Sequence, residues 1–174
     1  EAKKHHDIVT AAKIKELKRW VTRGVIERMK KKDANNRIDS RWVIKWKIID
    51  GTRDVKGRLT VRGFKDRQKH EKDRMRTVAG TASRWGQRAI CSIAAQHGWK
   101  LWSLDVSMAF LRGKTFEELA TRFGFKLRSL QFDLPPDGAA LLKTIEGFED
   151  FDEVTETLNM RKPGSGTNDA PWAW

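Results

Sequence analysis

The chain contains no tyrosine and a single cysteine among its 174 residues. One thiol, Cys91, excludes an internal disulfide and a multi-thiolate metal site, and it points to a reducing compartment. No apolar run approaches the roughly 20 residues needed to cross a bilayer, so no membrane partner is expected. The opening residues, Glu1-Ala-Lys-Lys-His-His6, lead into no apolar stretch and do not read as a secretory signal. His5, His6, His70 and His97 share no metal-ligand spacing with one another or with Cys91. The signatures of serine hydrolases, zinc proteases and thiol redox enzymes are absent too.

Charge is abundant and unevenly spread. The formal net charge is +13. Residues 1–100 carry 28 Lys and Arg against 11 Asp and Glu, whereas residues 101–174 carry 8 against 12. A basic half joined to a mildly acidic half suggests a phosphate-binding portion beside something else. A plain solvated basic face is the competing reading. Eight Trp and eight Phe supply the rings for a core, and some could stack on bases from a basic surface.

Periodicity predicts a helix over residues 8–23, with Ile14, Leu17, Trp20 and Val21 on one face and Gly24 as its stop. Residues 30–36 read as a polar loop. Residues 41–49 alternate, with Trp42, Ile44, Trp46 and Ile48 opposite Arg41, Val43, Lys45 and Lys47. A second run over 57–64 completes a hairpin with one apolar and one basic face, and residues 50–56 are expected to form a mobile tip. The charged stretch 65–77 reads as a solvated loop. Ser83 is the expected N-cap of a helix over 84–97, which buries a stripe that includes Trp85, Ile90 and Ile93 and takes Cys91 into its packing. A strand is expected over 99–106, a short helix over 116–123, and a strand over 127–134 stopped by Pro135-Pro136. The tail from Lys162 reads as a Gly-rich turn leading into a helix.

Three features could carry chemistry. Asp105 ends an otherwise apolar strand, where a lone carboxylate needs a hydrogen bond, a cation or a metal. It is either a capping residue or a ligand for Mg2+, which binds through one or two carboxylates plus substrate phosphates. The hairpin presents Lys45, Lys47, Lys56, Arg58 and Arg62, either as a solvated sheet face or as a clamp on phosphates. The turn Gly164-Ser-Gly166 lets backbone approach a ligand closely, though it matches no nucleotide-binding fingerprint.

These pieces occur in an order that resembles the copia-type retrotransposon reverse transcriptases. The resemblance is carried by Arg41-Trp-Val-Ile-Lys-Trp-Lys47, Gly57-Arg-Leu-Thr-Val-Arg-Gly-Phe64, Thr81-Ala-Ser-Arg84 and Ser92-Ile-Ala-Ala95. It continues through the block from Gly98 to Gly113, with Leu104-Asp-Val-Ser-Met-Ala-Phe110 at its centre, and through the tail from Lys162 to Trp174. It implies an α+β fold: the fingers and partial palm of a right-hand polymerase, with a small antiparallel sheet and packed helices. Residues 1–174 would form a single partial domain, with a basic fingers-like region over 1–98 and a partial palm over 99–174.

By resemblance, Asp105 and the Val106 carbonyl would bind catalytic Mg2+. Lys56, Arg58, Phe110 and Gly166 would bind the nucleotide, Phe110 as an aromatic gate against a ribose 2′-OH. Lys45, Lys47 and Arg62 would contact nucleic acid. The implied partners are an RNA template, a DNA primer, a dNTP and the remainder of the polyprotein. The implied location is intracellular, in a retroelement particle. The implied chemistry is two-metal nucleotidyl transfer, which needs several carboxylates. The family supplies the others from a downstream Tyr-x-Asp-Asp hairpin, whereas this chain has neither Tyr nor an Asp-Asp pair. The expectation is therefore a fragment that is inactive alone. The alternative is a non-catalytic nucleic-acid-binding module or a decayed copy.

Overall fold

The computed structural model describes residues 5–49, 51–71 and 75–174. Helix α1 runs over His6–Thr22 and fully buries Leu17 and Trp20. It ends where Gly24 turns into the left-handed region at φ +59°, a conformation that costs glycine no Cβ clash. The chain then enters strand β1 (Ile26–Lys30), followed by a 3-10 turn at Lys31–Asp33. The expected loop over 30–36 is thus only partly a loop. The preceding strand is short and alternates poorly, which hides it from a pattern reading.

Strand β2 (Arg37–Ile49) and strand β3 (Thr52–Val61) form the predicted hairpin. Its register runs from Ser40 opposite Val61 to Ile49 opposite Thr52. The expected long tip is therefore corrected: only Asp50 and Gly51 separate the strands, and the ladder continues through residues 52–56. Asp50 lies outside the described residues, and Gly51 adopts φ +76°, as a tight two-residue turn requires.

Strand β4 (Gln131–Asp133) lies parallel to β2, and strand β5 (Glu156–Met160) runs antiparallel to both β4 and β1. The sheet order is β1-β5-β4-β2-β3. The expected α+β class holds, but the sheet is mixed rather than antiparallel. One parallel pair arises because the chain takes a long excursion between β3 and β4, so β4 returns in the direction of β2. Strands from both sections of the sequence interleave in this one sheet.

Helix α1 lies across β3 so closely that a side chain at Gly57 would press on the helix backbone. A Cβ there would sit 3.2 Å from the Ala12 carbonyl carbon and oxygen. Trp20 meets Phe132 edge-on at 5.8 Å, and Leu59, Leu130, Leu142 and Leu158 complete the dry centre.

Helix α2 (Arg84–Gln96) starts as predicted, with Ser83 Oγ accepting from the Gly86 N–H at 3.0 Å. Its apolar stripe is not buried. Trp85 is 77% exposed and Ile90 60%, Cys91 is exposed as well, and Ala94 is the helix's buried residue. The expected packing of Cys91 is therefore corrected. Periodicity and a cap specify a helix, but not what covers it.

The expected strand over 99–106 is also absent. Those residues are irregular, with Trp102 85% and Leu104 92% exposed. A strand needs ladder partners, and none of the described strands runs beside this one. The charged 65–77 stretch is not simply solvated, because Asp66 and Met75 are buried. Its residues Lys72, Asp73 and Arg74 lie outside the described residues.

Helix α3 (Phe116–Phe123) has the expected bounds, set by a capping box between Thr115 and Glu118. Helix α4 (Gly138–Leu142) follows Pro135-Pro136 and the short β4. Helix α5 (Ala170–Ala173) begins with Pro171 in its first turn, in agreement with the predicted turn-to-helix tail. Among the described residues no helix is long and apolar enough to cross a membrane.

Candidate functional site

A cavity of about 310 Å3 opens between α1, β3 and the segment following Leu104. Five of the residues singled out in the sequence line it: Lys56, Arg58, Asp105, Val106 and Phe110. Glu16, Arg19, Met108 and Ser165 line it as well.

Each wall has a local cause. Lys56 and Arg58 flank Gly57 on β3, the free edge of the sheet, which α1 approaches at backbone distance. The opposite wall turns at Met108, which adopts φ 57° and ψ 37°. This is the one non-glycine residue in the left-handed region among those described, and such strain persists only where surroundings impose it. Beyond it, residues Ala109–Arg112 make a 3-10 turn, closed by the Leu111 N–H on the Met108 carbonyl at 3.0 Å. Leu111 is buried and pins that turn to the core, while Phe110 stays 40% exposed on the cavity side.

The tail braces both walls. The Val61 N–H donates to the Ser165 carbonyl at 3.0 Å, and the Gly63 N–H donates to the Gly166 carbonyl at 3.2 Å. At the other end, the Lys114 N–H donates to the Ala173 carbonyl at 3.2 Å. Gly166 itself packs on the end of β3, and its neighbour Ser165 reaches the cavity. Gly166 has φ +97°, and a Cβ there would fall 2.1 Å from the Val61 carbonyl oxygen.

The tail is held from below by a buried ion triad. Arg128 lies between Asp66 and Asp169, and all three side chains are at most 3% exposed. Asp66 also accepts from Asn36 Nδ2 and the Gln68 N–H, both at 2.8 Å. Burial pushes the Arg128 guanidinium below its ordinary range, against the opposing field of Asp66.

The cavity's charges divide into satisfied and open groups. Glu16 is buried and accepts from Arg19 and from Trp20 Nε1, each at 3.3 Å. Among the described residues, the side chains of Asp105, Lys56 and Arg58 have no hydrogen-bond or ion-pair partner. The capping alternative for Asp105 therefore finds no capped N–H. What is left is an open carboxylate sharing a cavity with two open cations, a combination suited to an anionic ligand that brings its own cation.

The remaining candidates lie apart. Lys45 faces Lys56 across the hairpin, and Lys47 lines a neighbouring depression with Lys15, Arg19 and Lys56. Arg62 is paired with Asp39 at 2.9 Å and stands outside the cavity. Asp39 also contacts Lys65. Burial alone would raise the Asp39 carboxyl, but the Lys65 hydrogen bond and the Arg62 charge outweigh it and hold it below its ordinary value.

The donor set does not fit a two-metal centre. Among the described residues no three His, Cys, Asp or Glu side chains gather for a metal, and Asp105 is the only open carboxylate in the cavity. A side-chain oxygen of Asp105 and the carbonyl of Val106 could meet a single hard cation delivered with a phosphate ligand.

Sequence reading missed Arg19, Met108, Ser165 and the Asp66–Arg128–Asp169 triad. Arg19 is one of several cations within the predicted 8–23 helix and has no pattern of its own to mark it, and nothing in the spacing of the triad links its members. No protein-family model matches the chain, and no solved structure matches it significantly.

Proposed function

We propose that this chain is a nucleotide- and template-binding part of a copia-type RNA-directed DNA polymerase, and that the cavity receives an incoming nucleoside triphosphate. One observation carries the reading. Residues 56 and 58 of the hairpin and residues 105, 106 and 110 of a distant segment line one cavity, and its three leading charges have no partner among the described residues. In this reading Lys56 acts as a point charge and Arg58 as a fork on the phosphates. Phe110 offers a ring to the sugar, and Asp105 meets the magnesium that accompanies the triphosphate. The same reading makes an RNA template and a DNA primer the partners and a retroelement particle the setting. The chain's own residues supply binding, and the further carboxylates of a two-metal reaction would come from outside the cavity.

A second reading, a basic nucleic-acid-binding module without chemistry, is favoured by the absence of a carboxylate cluster among the described residues. The two separate in a primer-extension assay with an RNA template, Mg2+ and dNTPs, run beside a dNTP-binding titration of the chain and of Asp105→Asn. The polymerase reading expects bound template, no extension, and Mg2+-dependent dNTP binding that weakens about ten-fold in the variant, the usual effect of losing one charge-assisted contact. dNTP binding that ignores both Mg2+ and Asp105 would leave the binding-module reading. Extension by the wild type that disappears in Asp105→Asn would contradict the claim that the carboxylates here are insufficient.

A further inference from the structure

The outer face of α1 is not explained by the cavity. Lys15, Lys18, Arg19 and Arg23 line an open groove of about 570 Å3 together with the apolar Ala11, Ile14 and Met108. Among the described residues no carboxylate lines it. Among the described residues Lys15, Lys18 and Arg23 have no acidic partner, whereas Lys13 on another face of the helix is paired with Asp137.

The groove is continuous with the site. Met108 lines both the groove and the nucleotide cavity, and Arg19 lines these two and the depression that holds Lys47 and Lys56. From Lys15 to Arg23 the helix rises about 12 Å. That matches roughly three to four phosphates of one strand. The strained Met108 backbone sits at the junction.

We infer that this face of α1, through Lys15, Lys18 and Arg23, is a track for the phosphodiester backbone of a nucleic-acid strand leading to or from the cavity. The proposal deepens the reading of the cavity by giving its strand a path. A membrane surface is the poorer fit: α1 turns Leu17 and Trp20 wholly into the core, and the apolar residues left outside, Ile8, Ala11 and Ile14, are too few and too small a patch beside three open cations for the broad apolar face that lipid binding needs. Arg19 is left out of the test because it also holds buried Glu16.

The probe is a fluorescein-labelled 12-nucleotide oligothymidylate, titrated by anisotropy between 50 and 200 mM NaCl. The protein is the full chain as wild type, as Lys15→Gln/Lys18→Gln/Arg23→Gln, and as a control with equal charge loss at the exposed Lys100, Lys114 and Lys143. Thermal melts confirm that all three are folded. Losing three phosphate contacts should lower the slope of log affinity against log salt by about 2, which removes a factor of about 20 from the salt sensitivity over this range. The control should keep the wild-type slope. Equal loss in both variants would reduce the effect to net charge and overturn the track. So would an unchanged slope accompanied by lost binding to vesicles containing phosphatidylserine. A lowered slope in a chain that binds no dNTP would keep the track and sink the nucleotide reading. Asp105-dependent dNTP binding with an unchanged slope would do the reverse.

Discussion

At the scale of single residues, charge pairing decides which groups are structural and which are open. Arg128 illustrates the first kind. It sits buried between Asp66 and Asp169, so the triad carries one positive and two negative charges in a dry setting. Removing the guanidinium leaves two carboxylates with no cation. Arg128→Ala should therefore lower unfolding free energy at neutral pH by about 3–5 kcal/mol. Denaturant titrations at pH 7 measure this, and a variant as stable as the wild type would contradict it. Asp105 illustrates the second kind. Its position at the end of an apolar run made it visible in the sequence, and among the described residues it has no side-chain partner. The triad was invisible because its members are far apart in the chain and each looks like an ordinary surface charge.

At the scale of elements, local signals were readable wherever the backbone satisfies itself. α1, the β2–β3 hairpin and α3 follow from periodicity, caps and turn glycines, all short-range causes. Residues 99–106 show where that logic fails. Their apolar run has strand character, but a strand forms only when another strand accepts its hydrogen bonds. The parallel pairing of β2 with β4 was likewise unreadable, since it depends on the path of the chain between them. Of the candidate site, the two arms were legible in the residue pattern, and their meeting was implied by the resemblance alone. The joint between the tail and β3 gives a sharp test. Gly166 cannot take a Cβ without displacing the Val61 carbonyl, and its φ of +97° strains any other residue. Gly166→Ala should destabilise the fold by about 1–3 kcal/mol. It should also loosen Ser165 at the cavity, read as faster amide exchange at Val61 and Gly63. Unchanged exchange at those two amides would show that the tail does not depend on this close approach.

At the scale of the whole molecule, two surfaces dominate. One is the basic track and cavity along α1 and β3. The other is the stretch from α2 through residue 104, where the large apolar side chains Trp85, Ile90, Trp102 and Leu104 are each more than half exposed. Large exposed apolar residues favour association. Sedimentation of the chain should show self-association that rises with concentration, and Trp102→Lys/Leu104→Lys should reduce it. A wild type that stays monomeric at millimolar concentration would show that these exposed residues are not sticky. The two surfaces also explain why a net charge of +13 does not by itself define the function. Open cations line α1 and β3, whereas others are held in local pairs such as Arg28 with Asp150 and Glu156.

The account rests on the cavity as a receptor for a triphosphate, and the most direct measurement is a calorimetric titration of the chain with a dNTP in Mg2+, repeated with Lys56→Gln/Arg58→Gln. Binding that falls at least ten-fold in the double variant, while its thermal melt matches the wild type, is the predicted result. Equal affinity in the two proteins, or no binding by the wild type, would contradict it.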